Sequence, residues 1–257
     1  MPRISVVTSV YNGEAYLEEC VDSILNQTFH DFEYIILNNG STDRTPEILD
    51  RYTDPRLRII HQENLGIARS LNKGIHLSNS ELIVRLDADD YSVPQRLEKQ
   101  ITFMDQHPEI VLCGSRFELL VGKETFDQET LFIEENKAIR KAMSCFNPIS
   151  HSTVVFRKKT FVESGCYNEK FEYSQDYDLW LRMLGFGEAH ILRDKLSTIR
   201  LSENSTSNQN TKTMRLEGLQ IRWNAFQKFG GNPGEVLYHF VKSLAGLIFV
   251  SKSPFNR

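Results

Sequence analysis

Hydrophobic positions along the first 110 residues switch repeatedly between a short continuous run and a helical spacing. Ile4 to Val10 is apolar enough for a buried strand, Tyr11-Asn12-Gly13 supplies a turn, and Leu17, Cys20, Val21, Ile24 and Leu25 recur on one helical face. The unit repeats. Phe32 to Leu37 reads as a strand, Asn38 to Asp43 as a loop, and Thr45 as the cap of a helix with Pro46 in its first turn and Ile48, Leu49 and Tyr52 inward. Leu57 to Ile60 is a third strand, Ile67 to Leu77 a helix facing inward through Ala68, Leu71 and Ile75, and Leu82 to Leu86 a fourth strand. Ser92 and Gln95, with Pro94 between them, fit a capping-box start for a helix carrying Leu97, Ile101 and Met104. Strands alternating with amphipathic helices predict an α/β fold whose residues 1–110 form an open, mostly parallel sheet.

Beyond Ile110 the pattern loosens. A charged segment runs from Glu134 to Lys141, and the polar stretch Ser202 to Lys212 suits a mobile loop. A helix from about Thr211 to Phe229 is expected to turn Leu216, Leu219, Trp223 and Phe226 inward, before the breaker Gly230-Gly231-Asn232-Pro233. Val236 to Val250 is apolar but interrupted by His239 and Lys242, too short and polar for a span of roughly 20 apolar residues. Two partners fit it. It could lie on a bilayer, with Lys242, Lys252 and Arg257 toward anionic headgroups and Leu237, Phe240, Leu244, Leu247 and Ile248 in the interface; or it packs on the domain or on a second copy in a homodimer. The expected organisation is a domain over 1–210, with halves 1–110 and 111–210, and a helical extension over 211–257.

Composition narrows the classes. With 34 acids against 30 bases in 257 residues there is no basic field to recruit nucleic acid. Cys20, Cys113, Cys145 and Cys166 are scattered, with no Cys-x-x-Cys clip, and read as reduced core residues. The apolar run after Met1 is too short for a signal peptide, which points to the cytoplasm.

Chemistry concentrates at Leu86-Asp87-Ala88-Asp89-Asp90, three carboxylates where a buried strand emerges into a loop. Such a cluster needs a cation, a base or water to compensate it, and oxygen-only ligands suit Mg2+ or Mn2+. In open α/β sheets ligands sit at the carboxyl ends of strands, where this loop lies.

Taken with Val10-Tyr11-Asn12, Asn39-Gly40-Ser41-Thr42-Asp43, Gln175-Asp176-Tyr177-Asp178-Leu179-Trp180-Leu181-Arg182 and Asn147 to Thr153, that loop gives residues 3–210 a pattern that resembles the inverting family-2 glycosyltransferases of GT-A fold. The resemblance implies a nucleotide-diphospho-sugar donor, a divalent cation (Mn2+ or Mg2+) on its diphosphate, and transfer of the sugar to an acceptor hydroxyl with inversion. Asp89 is then the direct metal ligand, Asp87 holds the ribose or a metal-bound water, and Asp90 supports the site. Tyr11, Asn39 and Arg69 would contact the nucleobase, and His151 lies on the acceptor side. Inversion needs one base opposite the leaving group, and Asp176 is the candidate. Tyr177, Trp180, Leu181 and Leu184 follow an inner helical face, so Asp176 falls at the helix start, where desolvation must offset the dipole's lowering of its basicity. Asp178, the competitor, points roughly 200° away around the axis.

The chain departs from that pattern at three places. Asn38-Asn39 stand where two aspartates are usual, Ser9 where a proline is, and Ser202 where a histidine often approaches the metal. Asn39 can accept the imide N–H of uracil but can also donate, so UDP leads while dTDP, GDP and CDP stay open. The expected enzyme adds single sugars to a growing polysaccharide or glycolipid, in the cytoplasm or at the inner face of the membrane. Gln220-Ile221-Arg222-Trp223 is one residue short of the Gln-x-x-Arg-Trp motif of processive polymerases, and Trp223 reads as helix core. The alternative is a non-catalytic nucleotide-sugar-binding scaffold or regulatory subunit. A nicotinamide-dependent oxidoreductase lacks its Gly-x-Gly-x-x-Gly after the first strand.

Overall fold

The computed structural model describes residues 1–127, 133–201 and 212–248. The first half is built as the periodicity predicts: β1 (Ile4–Val10), α1 (Leu17–Leu25), β2 (Phe32–Asn39), α2 (Thr45–Leu49), β3 (Leu57–Gln62), α3 (Ile67–Leu77) and β4 (Leu82–Arg85). These four strands pair in parallel in the order β3-β2-β1-β4. The second half adds β5 (Tyr91–Ser92), α4 (Arg96–Gln106), β6 (Ile110–Val121), β7 (Glu124–Asp127), α5 (Asn136–Ala142), β8 (Val155–Arg157), α6 (Lys158–Glu163), α7 (Gln175–Met183) and β9 (Glu188–Leu201). Beyond β4 the sheet continues β8-β6-β9-β5, with β8 antiparallel to its neighbours and β9 parallel to β6. Helices α8 (Lys212–Phe229) and α9 (Pro233–Ile248) follow.

The alternation of side chains across each strand produces two cores, one on each face. Val7, Ile35, Leu37 and Ile83 point to the face covered by α3, α6 and α7, where Trp180 and Phe156 are fully buried. Ile4, Val6, Tyr34, Ile36 and Val84 point to the face covered by α1, α2 and α4. Close approach of α3 requires Gly74, because a Cβ there would come within 2.8 Å of Leu37 and Val7.

Several local expectations change. Strand β2 runs two residues further than its apolar stretch, because Asn38 and Asn39 pair with His61 and Gln62 of β3. Thr45 is the first residue of α2 and not its cap; Asp43 Oδ1 accepts the Thr45 amide at 3.0 Å, leaving the Thr45 hydroxyl to accept from Gly13 N. The capping box at α4 does not form, because the Ser92 hydroxyl accepts from the buried Arg96 guanidinium instead, at 2.9 Å. Helix α8 turns Glu217, Gly218, Ile221 and Ala225 inward, leaving Leu216 and Trp223 each 49% exposed. Trp223 is therefore surface, packed edge-on against Phe240 of α9. The expected loop at 202–211, the Ser202 position, Lys252, Arg257 and the side chains of Leu244, Leu247 and Ile248 lie outside the described residues.

Candidate active site

The carboxyl ends of β1, β2 and β4 open onto a cleft of about 1170 Å³ lined by Tyr11, Asn39, Asp87, Asp89, His151 and Asp176 among others. Two of its walls are loops that fasten each other. Asn12 N donates to Ser41 Oγ, Thr42 N to Asn12 Oδ1, Gly13 N to Thr45 Oγ1 and Glu14 N to Asp43 Oδ2, all at 2.8–3.0 Å. The Tyr-Asn-Gly turn and the Gly-Ser-Thr-Asp loop are thus fastened into one unit. Gly40 sits at φ +75, with Asn64 N only 2.7 Å from where a Cβ would be.

The three aspartates of the β4–β5 loop have different electrostatics. Burial works against ionisation of Asp87, but the fully buried Arg85 guanidinium is ion-paired with it and Ser152 Oγ donates to it at 2.8 Å, holding its carboxyl below the usual range. Asp89 is pushed up to about 6 by burial and then by the charge of Asp87. Asp90 is raised well above the ordinary value by burial and its two neighbours, and accepts the Arg200 amide at 2.8 Å. Arg200 also donates to Asp89 O, pairs with Glu19, and lies 4.1 Å over the Tyr16 ring, clamping the loop from β9.

No group of three or more His, Cys, Asp or Glu side chains converges on a metal position among the described residues. The donor set suits a hard cation held by one carboxylate and completed by donor phosphates and water. Asp89 fits that role: its carboxylate takes no hydrogen bond from another described residue, and nearby cationic charge favours its ionised form.

Asp176 lies in the first turn of α7, as the helical spacing predicts. Its Oδ1 accepts from Tyr177 N at 2.7 Å and its Oδ2 from Asn147 Nδ2 at 2.9 Å. Burial nevertheless pushes it up to about 6. Asp178 is tied to Arg182 within the helix, turned away from this role. His151 has only 11% of its side chain exposed and is pushed down to about 3 by desolvation and by Arg85, so it is neutral; its Nε2 faces Arg85 Nε at 3.2 Å and the Tyr167 hydroxyl at 2.8 Å.

Asn39 is nearly fully buried, and its carbonyl already accepts from Gln62, Leu65 N and Ser70 at 2.7–3.1 Å. The Leu65 amide fixes that orientation, so the oxygen expected to meet a base is engaged inside the protein. Arg69 does not line the cleft; it pairs with Glu169 at 3.0 Å on the surface. Sequence reasoning missed Arg85 and Glu217, and gave no role to Asn147, which lies in one of the motifs, or to Arg200. Arg85 carries a signal, a charge closing an otherwise apolar strand. Glu217 of α8 carries none, yet it accepts the amides of Glu172, Tyr173 and Ser174 immediately before α7 at 2.7–3.0 Å.

A parallel α/β half, an acidic loop at the end of its fourth strand and a desolvated carboxylate across the cleft are thus brought together in one site. The family model for glycosyl transferase family 2 matches residues 5–161. The chain is 33% identical over 252 residues to the O-antigen biosynthesis glycosyltransferase WbnJ of Escherichia coli, covering 95% of this chain and 97% of that protein. It is 34% identical over 191 residues to the amylovoran biosynthesis glycosyltransferase AmsE of Erwinia amylovora, covering 71% and 70%. Among solved structures, S. aureus TarS 1-349 in complex with UDP-GlcNAc superposes with a TM-score of 0.73 at 18% identity, over 99% of this chain and 74% of that one. Mannosyltransferase PcManGT from Pyrobaculum calidifontis, in complex with GDP-Man and Mn2+, gives 0.68 at 17%, over 98% and 77%. These two share the fold. The chain belongs to glycosyl transferase family 2 and is a glycosyltransferase of GT-A fold.

Proposed function

We propose that this enzyme transfers a sugar, with inversion, from a nucleotide-diphospho-sugar, UDP-linked in the leading reading, to a hydroxyl of a polysaccharide or glycolipid acceptor. The observation that carries the reading is Asp176, a desolvated carboxylate brought close to neutral pH in the same cleft as the Asp87-Asp89 loop. As the acceptor oxygen bonds to the anomeric carbon, its proton passes to Asp176 and the bond to the diphosphate breaks, the nucleoside diphosphate leaving with the electron pair. Tyr11, 53% exposed at the cleft wall, offers a face on which the base stacks, and Asp87 is kept ionised to accept the ribose hydroxyls. Bound at Asp89, Mn2+ or Mg2+ supplies Lewis-acid stabilisation of the leaving diphosphate. The Mn2+ in the PcManGT complex supports this metal class, and the polysaccharide pathways in the names of AmsE and WbnJ support the acceptor class.

Calorimetric titration with UDP, dTDP, GDP and CDP, with and without Mn2+, tests the donor side. One nucleotide is expected to bind in a metal-dependent way and to lose that dependence in Asp89→Ala. Binding of none would replace the enzyme by the non-catalytic scaffold. An acceptor met on the cytoplasmic side, at the inner face of the membrane, is supported by the exposed apolar surface of α9. Leu237, Tyr238 and Val241 are 64%, 62% and 55% exposed there, and no described helix is long and apolar enough to cross a membrane.

A further inference from the structure

Asn147 precedes Pro148, which restricts it to extended backbone, and Ile149 beyond is buried against Gly114 of β6. The amide is oriented by its own surroundings. Its Oδ1 accepts Ile149 N at 3.2 Å, so the atom 2.9 Å from Asp176 Oδ2 is the NH2 donor. With Tyr177 N on Oδ1, each oxygen of Asp176 is held by one donor from a different element, and the carboxylate plane is fixed. A carboxylate has about four lone-pair sites, so acceptor capacity remains for a proton delivered from the cleft.

We propose that Asn147 is a positioning residue for proton transfer: it fixes the rotation of the Asp176 carboxylate and favours its ionised form. The proposal rests on Asp176 being the base. Asn147 opposes what surrounds Asp176. Burial and Asp87 drive the carboxyl toward protonation, and the phenols of Tyr167 and Tyr177 contribute no cation. A donor to the charged oxygen counteracts them without adding a formal charge that would stop the base from releasing its proton afterwards.

The test follows the side-chain carboxyl carbon of Asp176 by NMR titration of the free protein, the resonance assigned by its absence in Asp176→Asn. The wild type is expected to titrate near 6. In Asn147→Ala the midpoint should rise by about one pH unit, the effect of losing one charge-assisted hydrogen bond. Asn147→Asp is isosteric, still accepts the Ile149 amide, and keeps the test alive if the alanine variant does not fold. It should give two coupled steps as the facing carboxylates share a proton. Nucleoside diphosphate release from a panel of nucleotide-diphospho-sugars provides the second readout. In Asn147→Ala kcat should fall by about tenfold with its acid limb displaced upward, and the donor KM should stay within about twofold. Wild-type titration in both variants, with Asp176→Asn inactive, overturns the role of Asn147 and leaves the base in place. Transfer that survives in Asp176→Asn overturns the base itself.

Discussion

Asp87, Asp89 and Asp90 carry the same side chain in one turn of chain, and the neighbours of each decide what it can do. Arg85 keeps Asp87 ionised, Asp89 is held near 6 with no donor from another described residue, and Asp90 favours its protonated form. In the metal-free protein Asp89 therefore opposes folding at neutral pH. Its folded pKa lies above the unfolded value near 3.9, so the penalty is absent below about pH 4 and grows as pH rises through 6. Asp89→Asn should raise the metal-free Tm at pH 7–8 by roughly 2–4 °C, with the gap closing toward pH 4. With Mn2+ and the bound nucleotide added, thermal melts should reverse the order, the wild type gaining stability that the variant does not. With Asp176 as the proposed base the same direction governs catalysis: a base must be ionised, so kcat/KM should climb with pH through about 6, and Asp176→Asn should lose that limb together with at least about a hundredfold in rate. The position of these carboxylates was legible as an acidic cluster after an apolar run. Their roles came only from the resemblance, and their differing charge states were not legible, because Asp87 depends on Arg85 and Ser152, one before the cluster and the other 65 residues after Asp87.

At the scale of elements, period alone located β1 to β4 and α3 with ends right to within two residues, because β1, β2 and β4 are continuous runs buried on both faces, β3 is a short apolar run beside them, and α3 buries one apolar face. It failed at α8, where the inward residues are Glu217, Gly218, Ile221 and Ala225. The large apolar positions Leu216 and Trp223 face outward, since Glu217 is drawn in to accept three amides ahead of α7. That contact ties α8 to the segment leading into Asp176, the proposed base. Glu217→Gln retains shape but replaces one accepting oxygen with a donor facing amide N–H groups. It should cost about 1.5–3 kcal/mol in denaturant unfolding. It should also lower kcat more than donor affinity, because the disturbed residues 172–174 lead directly into Asp176. An unchanged kcat in a folded variant would show that the contact serves stability alone.

For the whole molecule, α8 joins the sheet's core through Ile221 and Ala225, while α9 stands on the outside. Its Val236 is buried, but Leu237, Tyr238 and Val241 are open, and Trp223 of α8 extends the same apolar surface. Helix α9 also reaches the cleft rim, from its other side: His239, roughly 200° around the helix from Leu237, lies 6.4 Å from the ring of Phe146, a cleft-lining residue 41% exposed. An acceptor on a lipid carrier would therefore meet the active site from the side on which α9 rests. Co-sedimentation with vesicles of anionic and of zwitterionic lipid separates the partners left open by amphipathicity. Binding is expected to be stronger to the anionic vesicles and to weaken with salt, as Lys242 contributes charge. Leu237→Glu with Val241→Glu should reduce binding by about tenfold or more, since burying each side chain is worth roughly 1.5–3 kcal/mol, while unfolding shifts by under about 0.5 kcal/mol at each exposed site. If the wild type ignores both vesicles and sediments as a dimer that the double variant breaks, the apolar face belongs to a second copy. The acceptor would then approach across a protein interface and not from a bilayer.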